Sequence, residues 1–341
     1  MTESGPAGID LPAVARWMRS LGIDLAEPVG LERIGLGQSN LTYLVSDQAR
    51  GRWVLRCRPA GALLASAHDI GREARILSAL EPTAVPTPRV LGITGEDDRP
   101  LVLLEYVDGV VVDRMSVARE LTPDLRRRIA LAMVSTLAEV HAVDLEATGL
   151  ISLARAKPYA QRQIRRWYGQ WEASKTRELP ALDQLTARLS GAAPEQRELT
   201  LVHGDFHLRN VIIAPDDGSV RAALDWELSA VGDPLADLGT LLAYWPSSGE
   251  ATAGGFNASA LPGFPERDEL VSAYVAQTGR DASGLGFWHA LGLWKVAIIA
   301  EGIVRRTMDA PQNRAAEGTP TVEQIDALVE RATAVAAAAG L

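Results

Sequence analysis

Residues 202–213 read Val-His-Gly-Asp-Phe-His-Leu-Arg-Asn-Val-Ile-Ile, and residues 223–227 read Ala-Leu-Asp-Trp-Glu. Asp205 and Asn210 each stand beside an apolar, strand-like run, and Asp225 closes the next such run. The polar stretch Asp216-Asp217-Gly218-Ser219 between them has the chemistry of a turn. Three oxygen-bearing side chains in this order suit phosphoryl transfer. That reaction asks for a carboxylate to orient the attacking hydroxyl, and for a carboxamide and a second carboxylate to hold magnesium. Asp205 fits the first role, as general base or orienting group, while Asn210 and Asp225 fit the metal roles. Taken singly, each has a plainer reading: a turn aspartate capping a helix, or polar residues satisfying backbone at a strand edge. The three in step favour chemistry.

The Asp205–Asn210 spacing is that of the protein-kinase catalytic loop, which is also followed by a metal-binding aspartate. Other motifs accompany it in order: Gly35-Leu36-Gly37-Gln38-Ser39-Asn40, Val54-Leu55-Arg56, Ser66-Ala67-His68 to Arg72-Glu73, and Leu104-Glu105-Tyr106. Leu224-Asp225-Trp226-Glu227 and Gly232-Asp233-Pro234-Leu235-Ala236-Asp237-Leu238 complete the set. Together they resemble the aminoglycoside phosphotransferase/choline kinase superfamily over residues 30–310. The branch most similar is the one also found as the kinase-like domain attached to some acyl-CoA dehydrogenases. The resemblance implies an α+β, two-lobed protein-kinase-like fold, with ATP and Mg2+ as cofactors and a small-molecule hydroxyl as acceptor.

The chain has 341 residues, 47% of them hydrophobic, enough for a sizeable core in one large domain or two modest ones. A net charge of −9 and a pI near 5.2 argue against nucleic-acid or anionic-membrane partners. Cys57 is the single cysteine, so no internal disulfide forms and a reducing compartment is expected. The start, Met-Thr-Glu-Ser-Gly-Pro-Ala-Gly, lacks the basic segment and apolar core of a signal peptide. Apolar runs such as Val296-Ala297-Ile298-Ile299-Ala300 fall short of a membrane span. The expectation is a soluble, cytoplasmic protein.

Leu11, Val14, Trp17, Met18 and Leu21 keep helical spacing over residues 10–22, and Gly22 suits a helix end. Strand patterns follow at Leu31–Gly35, Leu41–Val45, Trp53–Arg58 and Leu101–Tyr106, interrupted by a helix over Ser66–Leu80 that Pro82, Pro86 and Pro88 stop. Beyond Asp108-Gly109 the character changes. Thr122-Pro123 starts a long helix to Val143, and further helices are expected over 158–175, 179–190, 233–245, 266–278, 284–308 and 321–338. Strand character returns only at 199–204, 210–214 and 220–225. This predicts a small β-rich N-lobe, residues 1–106, and a larger, mainly helical C-lobe, residues 107–341, with the hinge at Tyr106–Gly109. Residues 247–263, rich in Ser, Gly and Ala, read as a flexible loop, and the Ala-rich tail 331–341 as an exposed helix end.

Gly35, Gly37, Ser39 and Asn40 would let backbone N–H groups approach phosphates, although a lone Gly-x-Gly is more often a hairpin turn. No Gly-Lys-Ser/Thr follows, so this is not a Walker A loop. Period two puts Val54 and Arg56 on one strand face, where Val54 would line an adenine pocket and Arg56 would reach phosphate oxygens. Arginine stands where kinases more often carry lysine, keeping charge and donors but offering a planar fork. Choline-kinase-like members tolerate this, so the resemblance extends to Arg56. Glu73, seventeen residues on, is the candidate ion-pair partner, with a surface pair on an edge strand as the plainer alternative. Glu105 and Val107 offer backbone groups to the adenine edge. In the resembled family the residue at His203 packs beneath the loop, and the segment with Asp233 and Asp237 buttresses it.

The acceptor leaves fewer marks. A polycationic aminoglycoside should meet clustered acids, yet 247–263 holds only Glu250. Residues 152–180 instead carry Arg155, Lys157, Arg162, Arg165, Arg166, Lys175 and Arg177 against Glu172 and Glu178, with Trp167, Tyr168 and Trp171 among them. That mixture suits an anionic, partly apolar acceptor such as a hydroxyacyl-CoA, or simply a solvated helix face over a core stripe. His207, Arg209, Glu227, Arg165 and Arg166 are the candidate acceptor residues. The function expected is ATP- and Mg2+-dependent phosphoryl transfer to a small-molecule hydroxyl. Its rivals are a nucleotide-binding pseudokinase, suggested by Arg56, and a metallohydrolase using the alternating His203, Asp205 and His207.

Overall fold

Along β2 (Leu41–Ser46), Leu41, Tyr43 and Val45 are buried while the residues between them are half-buried, as in a strand with one covered face. The structure is a computed structural model and describes residues 9–34, 41–57, 70–95, 100–309 and 318–341. β1 (Gly30–Ile34), β2, β3 (Arg52–Cys57), β4 (Val90–Thr94) and β5 (Leu101–Glu105) form one antiparallel sheet in the order β1-β2-β3-β5-β4. α1 (Leu11–Ser20) starts at Asp10, whose carboxylate accepts from the Ala13 N–H at 3.0 Å. Its Val14, Ala15 and Met18 share one apolar cluster with Tyr43, Val45, Leu55, Cys57 and Leu103 of the sheet. α2 (Ile70–Leu80) buries Ile70, Ala74, Ile76, Leu77 and Leu80, and with them one acid, Glu73. β4 was not expected from sequence: it is an edge strand broken by a register shift between Val90 and Gly92, too irregular to show alternation.

The second unit begins with α3 (Met115–Glu120) and α4 (Pro123–His141), the latter capped by the Thr122 hydroxyl accepting from the Leu125 N–H at 3.2 Å. α5 (Tyr159–Ser174) and α6 (Pro180–Gly191) follow. Two short antiparallel pairs come next, β6 (Thr200–Val202) with β9 (Ala230–Gly232) and β7 (Val211–Ile213) with β8 (Val220–Ala223). α7 (Leu235–Ala243), α8 (Arg267–Thr278), α9 (Leu285–Asp309) and α10 (Val322–Ala338) complete it. A Cβ at Gly239 would lie 2.4 Å from the Trp288 carbonyl carbon, and one at Gly292 would lie 2.8 Å from the Gly239 carbonyl oxygen. α7 and α9 therefore cross backbone to backbone. α9 is long and apolar enough to cross a membrane by length and composition, but 83% of its apolar window is buried inside the structure, which is the pattern of a core helix.

By contact, the chain divides into a unit ending at Asp108 that also takes in Leu224–Glu227, and a unit of Gly109–Ala223 with Leu228–Leu341. A small antiparallel sheet followed by a larger helical unit is the expected α+β plan. Two expectations change. Residues 247–263 are anchored: Ser259 Oγ donates to the Pro246 carbonyl at 3.0 Å and the Gly254 N–H donates to Gln324 Oε1 at 3.1 Å. The alanine tail is an exposed end only in its last turn, residues 337–340, since Ala332 and Ala336 are fully buried and Ala339 comes close enough to leave no room for a Cβ at Gly286. Small side chains there allow close helix approach, which composition alone does not distinguish from solvent exposure.

Candidate active site

In the second unit, the loop His203–Asn210 leaves β6 and turns at Gly204. Gly204 has a φ of 86°, and a Cβ there would lie 2.6 Å from the Leu228 carbonyl oxygen, so this step needs glycine. Asp237, buried on α7, fixes the turn by accepting the N–H groups of His203 at 2.6 Å and Gly204 at 2.7 Å. Its Oδ2 also meets His141 Nε2 at 3.2 Å, and His141 Nδ1 lies 2.6 Å from the Tyr274 hydroxyl. Burial works against the Asp237 charge, but His141, His203 and the loop amides hold its carboxyl below the usual range.

Asp205 directs Oδ1 to Lys295 Nζ at 3.3 Å, while Oδ2 lies 3.4 Å from both Asn210 Nδ2 and His207 Nε2. Burial pushes this carboxyl up, yet Lys295 and the two histidines outweigh it and keep Asp205 ionised far below the ordinary carboxylate range. Asn210 Nδ2 also donates to the Asp205 carbonyl at 2.9 Å, which turns the amide oxygen away as a hard ligand of the kind magnesium takes. His207 Nδ1 accepts from the Arg209 N–H at 3.2 Å, so its proton sits on Nε2, toward Asp205. The ring is buried against Tyr244, with centroids 4.2 Å apart, and burial lowers its pKa. His203 Nδ1 accepts from the Asp205 N–H at 3.2 Å. Among the described residues no group of three or more His, Cys, Asp or Glu is arranged to hold a metal ion, so the His203, Asp205, His207 alternation builds no metallohydrolase centre.

In the first unit Arg56 on β3 and Glu73 on α2 form a buried ion pair. The Trp226 N–H donates to Glu73 Oε1 at 3.3 Å, and Arg72 Nη1 donates to the Glu227 carbonyl at 3.1 Å, so α2 holds the segment that carries Asp225. Burial opposes the Arg56 charge, but Glu73, Asp225 and Glu227 together raise its pKa. Burial raises the Glu73 carboxyl, with Arg56 opposing. Asp225 has a φ of 66°, a left-handed conformation that costs a non-glycine residue about 1–3 kcal/mol and is retained where the surroundings impose it. The Glu105 N–H donates to the Arg89 carbonyl at 3.0 Å, and the Glu105 carboxylate pairs with Arg89 Nε at 2.8 Å. Val107 follows β5 outside the strand. Gly35, Gly37, Ser39 and Asn40 lie outside the described residues.

Beside the loop in the second unit, an open pocket is lined by Tyr159, Arg166 and Trp167 of α5, by Gly204, and by Trp288 and Lys295 of α9, with no acidic residue in its wall. The Arg166 guanidinium lies 5.6 Å from the Trp167 ring centroid. Arg165 is exposed and outside this lining. Arg209 is also exposed, its guanidinium 5.9 Å from the Tyr244 ring and 5.4 Å from that of Phe256. Sequence inspection missed Lys295 and His141. The available signal for Lys295 was a lone charge inside the apolar run Leu293-Trp294-Lys295-Val296-Ala297.

A family model described as "Phosphotransferase enzyme family" matches residues 30–270. Mouse acyl-CoA dehydrogenase family member 10 is 36% identical over 304 residues, a match covering 87% of this chain and 28% of that protein. The chain thus spans less than a third of this relative's length. The crystal structure of a candidate aminoglycoside phosphotransferase from Ralstonia eutropha JMP134 superposes with a TM-score of 0.72 at 30% identity, covering 97% of each chain. The GDP complex of aminoglycoside 2'-phosphotransferase-IIIa shares the fold, with a TM-score of 0.61 at 17% identity over 96% of this chain and 98% of its own.

Proposed function

The chain belongs to the phosphotransferase enzyme family, and from that premise we propose that it transfers the terminal phosphoryl group of ATP, with Mg2+, to a hydroxyl of an anionic, partly apolar small molecule such as a hydroxyacyl thioester. The observation that carries this is the ionised Asp205 carboxylate, held by Lys295 at one oxygen and approached by Asn210 and His207 at the other. A carboxylate kept so far below its ordinary range is a weak base. Asp205 therefore orients the acceptor hydroxyl and accepts its proton late, as a loose phosphoryl-transfer transition state permits. The hydroxyl oxygen forms the new bond to phosphorus as the bond to the nucleoside diphosphate oxygen breaks. Asn210 and Asp225 are the proposed magnesium ligands, and the metal would neutralise charge on the phosphates. Arg56, paired with Glu73, would add charge on the nucleotide side, with Gly35, Gly37, Ser39 and Asn40 as the phosphate loop and the backbone of Glu105 and Val107 at the base.

The acceptor class draws support from the pocket beside Gly204, where aromatic walls and the Arg166 guanidinium meet no acid. That lining suits an anion with an apolar body better than a polycation. The name of the mouse relative, an acyl-CoA dehydrogenase, points to the same class of compound. A panel of hydroxyl acceptors scored by ADP release tests it. Hydroxyacyl thioesters and hydroxy acids should be turned over, and kanamycin should not. Efficient kanamycin phosphorylation, with no turnover of the anionic acceptors, would assign the pocket to aminoglycosides instead.

A further inference from the structure

We infer that Lys295 is a positioning residue for the proposed transfer, holding the Asp205 carboxylate in the orientation that receives the acceptor hydroxyl. The inference rests on the role given to Asp205 above. Lys295 lies on α9 in a run of buried apolar residues, with its side chain 9% exposed. Taking an ammonium out of water is unfavourable, and a leucine or methionine would pack such a helix at no such cost. What the charge touches explains its presence. Nζ donates to the Gly204 carbonyl, lies 3.3 Å from Asp205 Oδ1, and sits 5.2 Å from the Trp167 ring centroid. An ammonium has three N–H bonds, and these are three partners: two oxygens and one aromatic face. No donor is left over for an acceptor molecule, although Lys295 lines the pocket wall.

The two oxygens belong to consecutive residues, so one cation clamps both the main chain at the turn and the side chain after it. Among the described residues Oδ1 meets Lys295 alone, at 3.3 Å, while Oδ2 is approached at 3.4 Å by both Asn210 Nδ2 and His207 Nε2. The carboxylate is thus held from both sides, and Oδ1 keeps a second lone pair to receive a hydroxyl proton. The clamp is anchored from outside the loop. α9 is fixed against α7 by the glycine crossing at Gly239 and Gly292, and Trp294 Nε1 donates to Thr186 Oγ1 at 2.9 Å. A carboxylate aimed in this way matters because a misplacement of an ångström at a reacting group costs on the order of 100-fold in rate.

Two measurements test the inference. In urea unfolding, Lys295→Met, Asp205→Asn and the double variant form a cycle that needs no turnover. If the residues are coupled, the midpoint shifts of the two single variants fail to add, and strict additivity overturns the pairing. In turnover with an acceptor found by the panel, Lys295→Met should lower kcat on the order of 100-fold while KM for ATP and for the acceptor stays within about twofold. Lys295→Arg, which keeps the charge, should recover part of that loss, and Lys295→Met should add nothing on an Asp205→Asn background. Unchanged kcat, or a raised acceptor KM with kcat intact, would overturn the positioning role. If the wild type turns over no acceptor, the phosphotransfer reading fails, and the unfolding cycle alone decides whether Lys295 holds Asp205.

Discussion

His289 shows what burial does to a single ionisable side chain. It lies on α9 with Nε2 buried and without a hydrogen-bond partner among the described residues, and burial, then the charges of Arg331 and Arg267, depress its pKa to about 3 against a weaker pull from Glu250. The folded protein therefore keeps this ring neutral through most of the acid range, while the unfolded chain protonates it near the ordinary value of about 6.5. The folded pKa is the lower one, so stability is complete above the unfolded pKa and falls as pH drops from there toward 3. Between pH 7 and pH 4 this residue alone should remove about 2–3 kcal/mol. His289→Leu should flatten that part of the stability curve, measured by urea unfolding at the two pH values; an unchanged slope would mean that other groups carry the acid sensitivity. Individual residues differ sharply in how legible they are. Asp205, Asn210 and Asp225 stood out as candidates because all three fall within one stretch of chain at a motif spacing. Lys295 could not, because its partner is ninety positions away and only the fold brings the two together. A charge that survives inside an apolar helix was the one available hint.

Between elements, the pair joining β3 to α2 sets up the clearest energetic test. Glu73 has Arg56 and the Trp226 N–H as partners; Glu73 is buried and the Arg56 side chain is only 14% exposed. Glu73→Gln keeps the shape but removes the countercharge closest to Arg56. Breaking a buried pair from one side costs about 3–5 kcal/mol, because the remaining ion is left without its compensation. The variant should unfold at correspondingly lower urea, and Arg56→Met with Glu73→Leu together should recover much of the loss. No recovery would mean that the pair contributes more than mutual neutralisation, for instance through its hold on the segment after β8. Most of the longer helices were read from sequence to within two residues at their ends because 3.6-residue periodicity is a local property, whereas the six-residue α3 was missed and the helix read from Ser66 is described only from Ile70. β4 and β9 were missed because a short strand pairing with a distant partner needs no alternation of its own. The anchoring of residues 247–263 escaped for a related reason: its contacts run to Pro246 and Gln324, and composition records only small polar residues.

At the scale of the whole chain, the order of motifs announced a small sheet unit followed by a larger helical one. It did not announce that Leu224–Glu227, continuous in sequence with β8, belongs by contact to the first unit. That placement depends on α2 capturing the Trp226 N–H and the Glu227 carbonyl, which no periodicity encodes. The net charge of −9 gives the remaining test its force, because an acidic protein repels a polyphosphate unless local cations and a metal offset the field. If Asn210 and Asp225 hold Mg2+ beside the phosphates, ATP should raise the melting temperature far more with magnesium than in EDTA. At a nucleotide concentration of 100 times Kd the stabilisation should approach about 2.7 kcal/mol. The diagnostic variant is Asp225→Asn rather than Asp225→Ala, because asparagine tolerates the φ of 66° found there and removes only the charge. Asp225→Asn should melt near the wild type without ligand, keep the small shift seen with ATP in EDTA, and lose most of the magnesium-dependent increment. An increment equal to that of the wild type would remove Asp225 from the metal site. A large ATP shift that ignores magnesium in both proteins would identify a nucleotide-binding module without phosphoryl transfer, and no shift with any nucleotide would sink both readings.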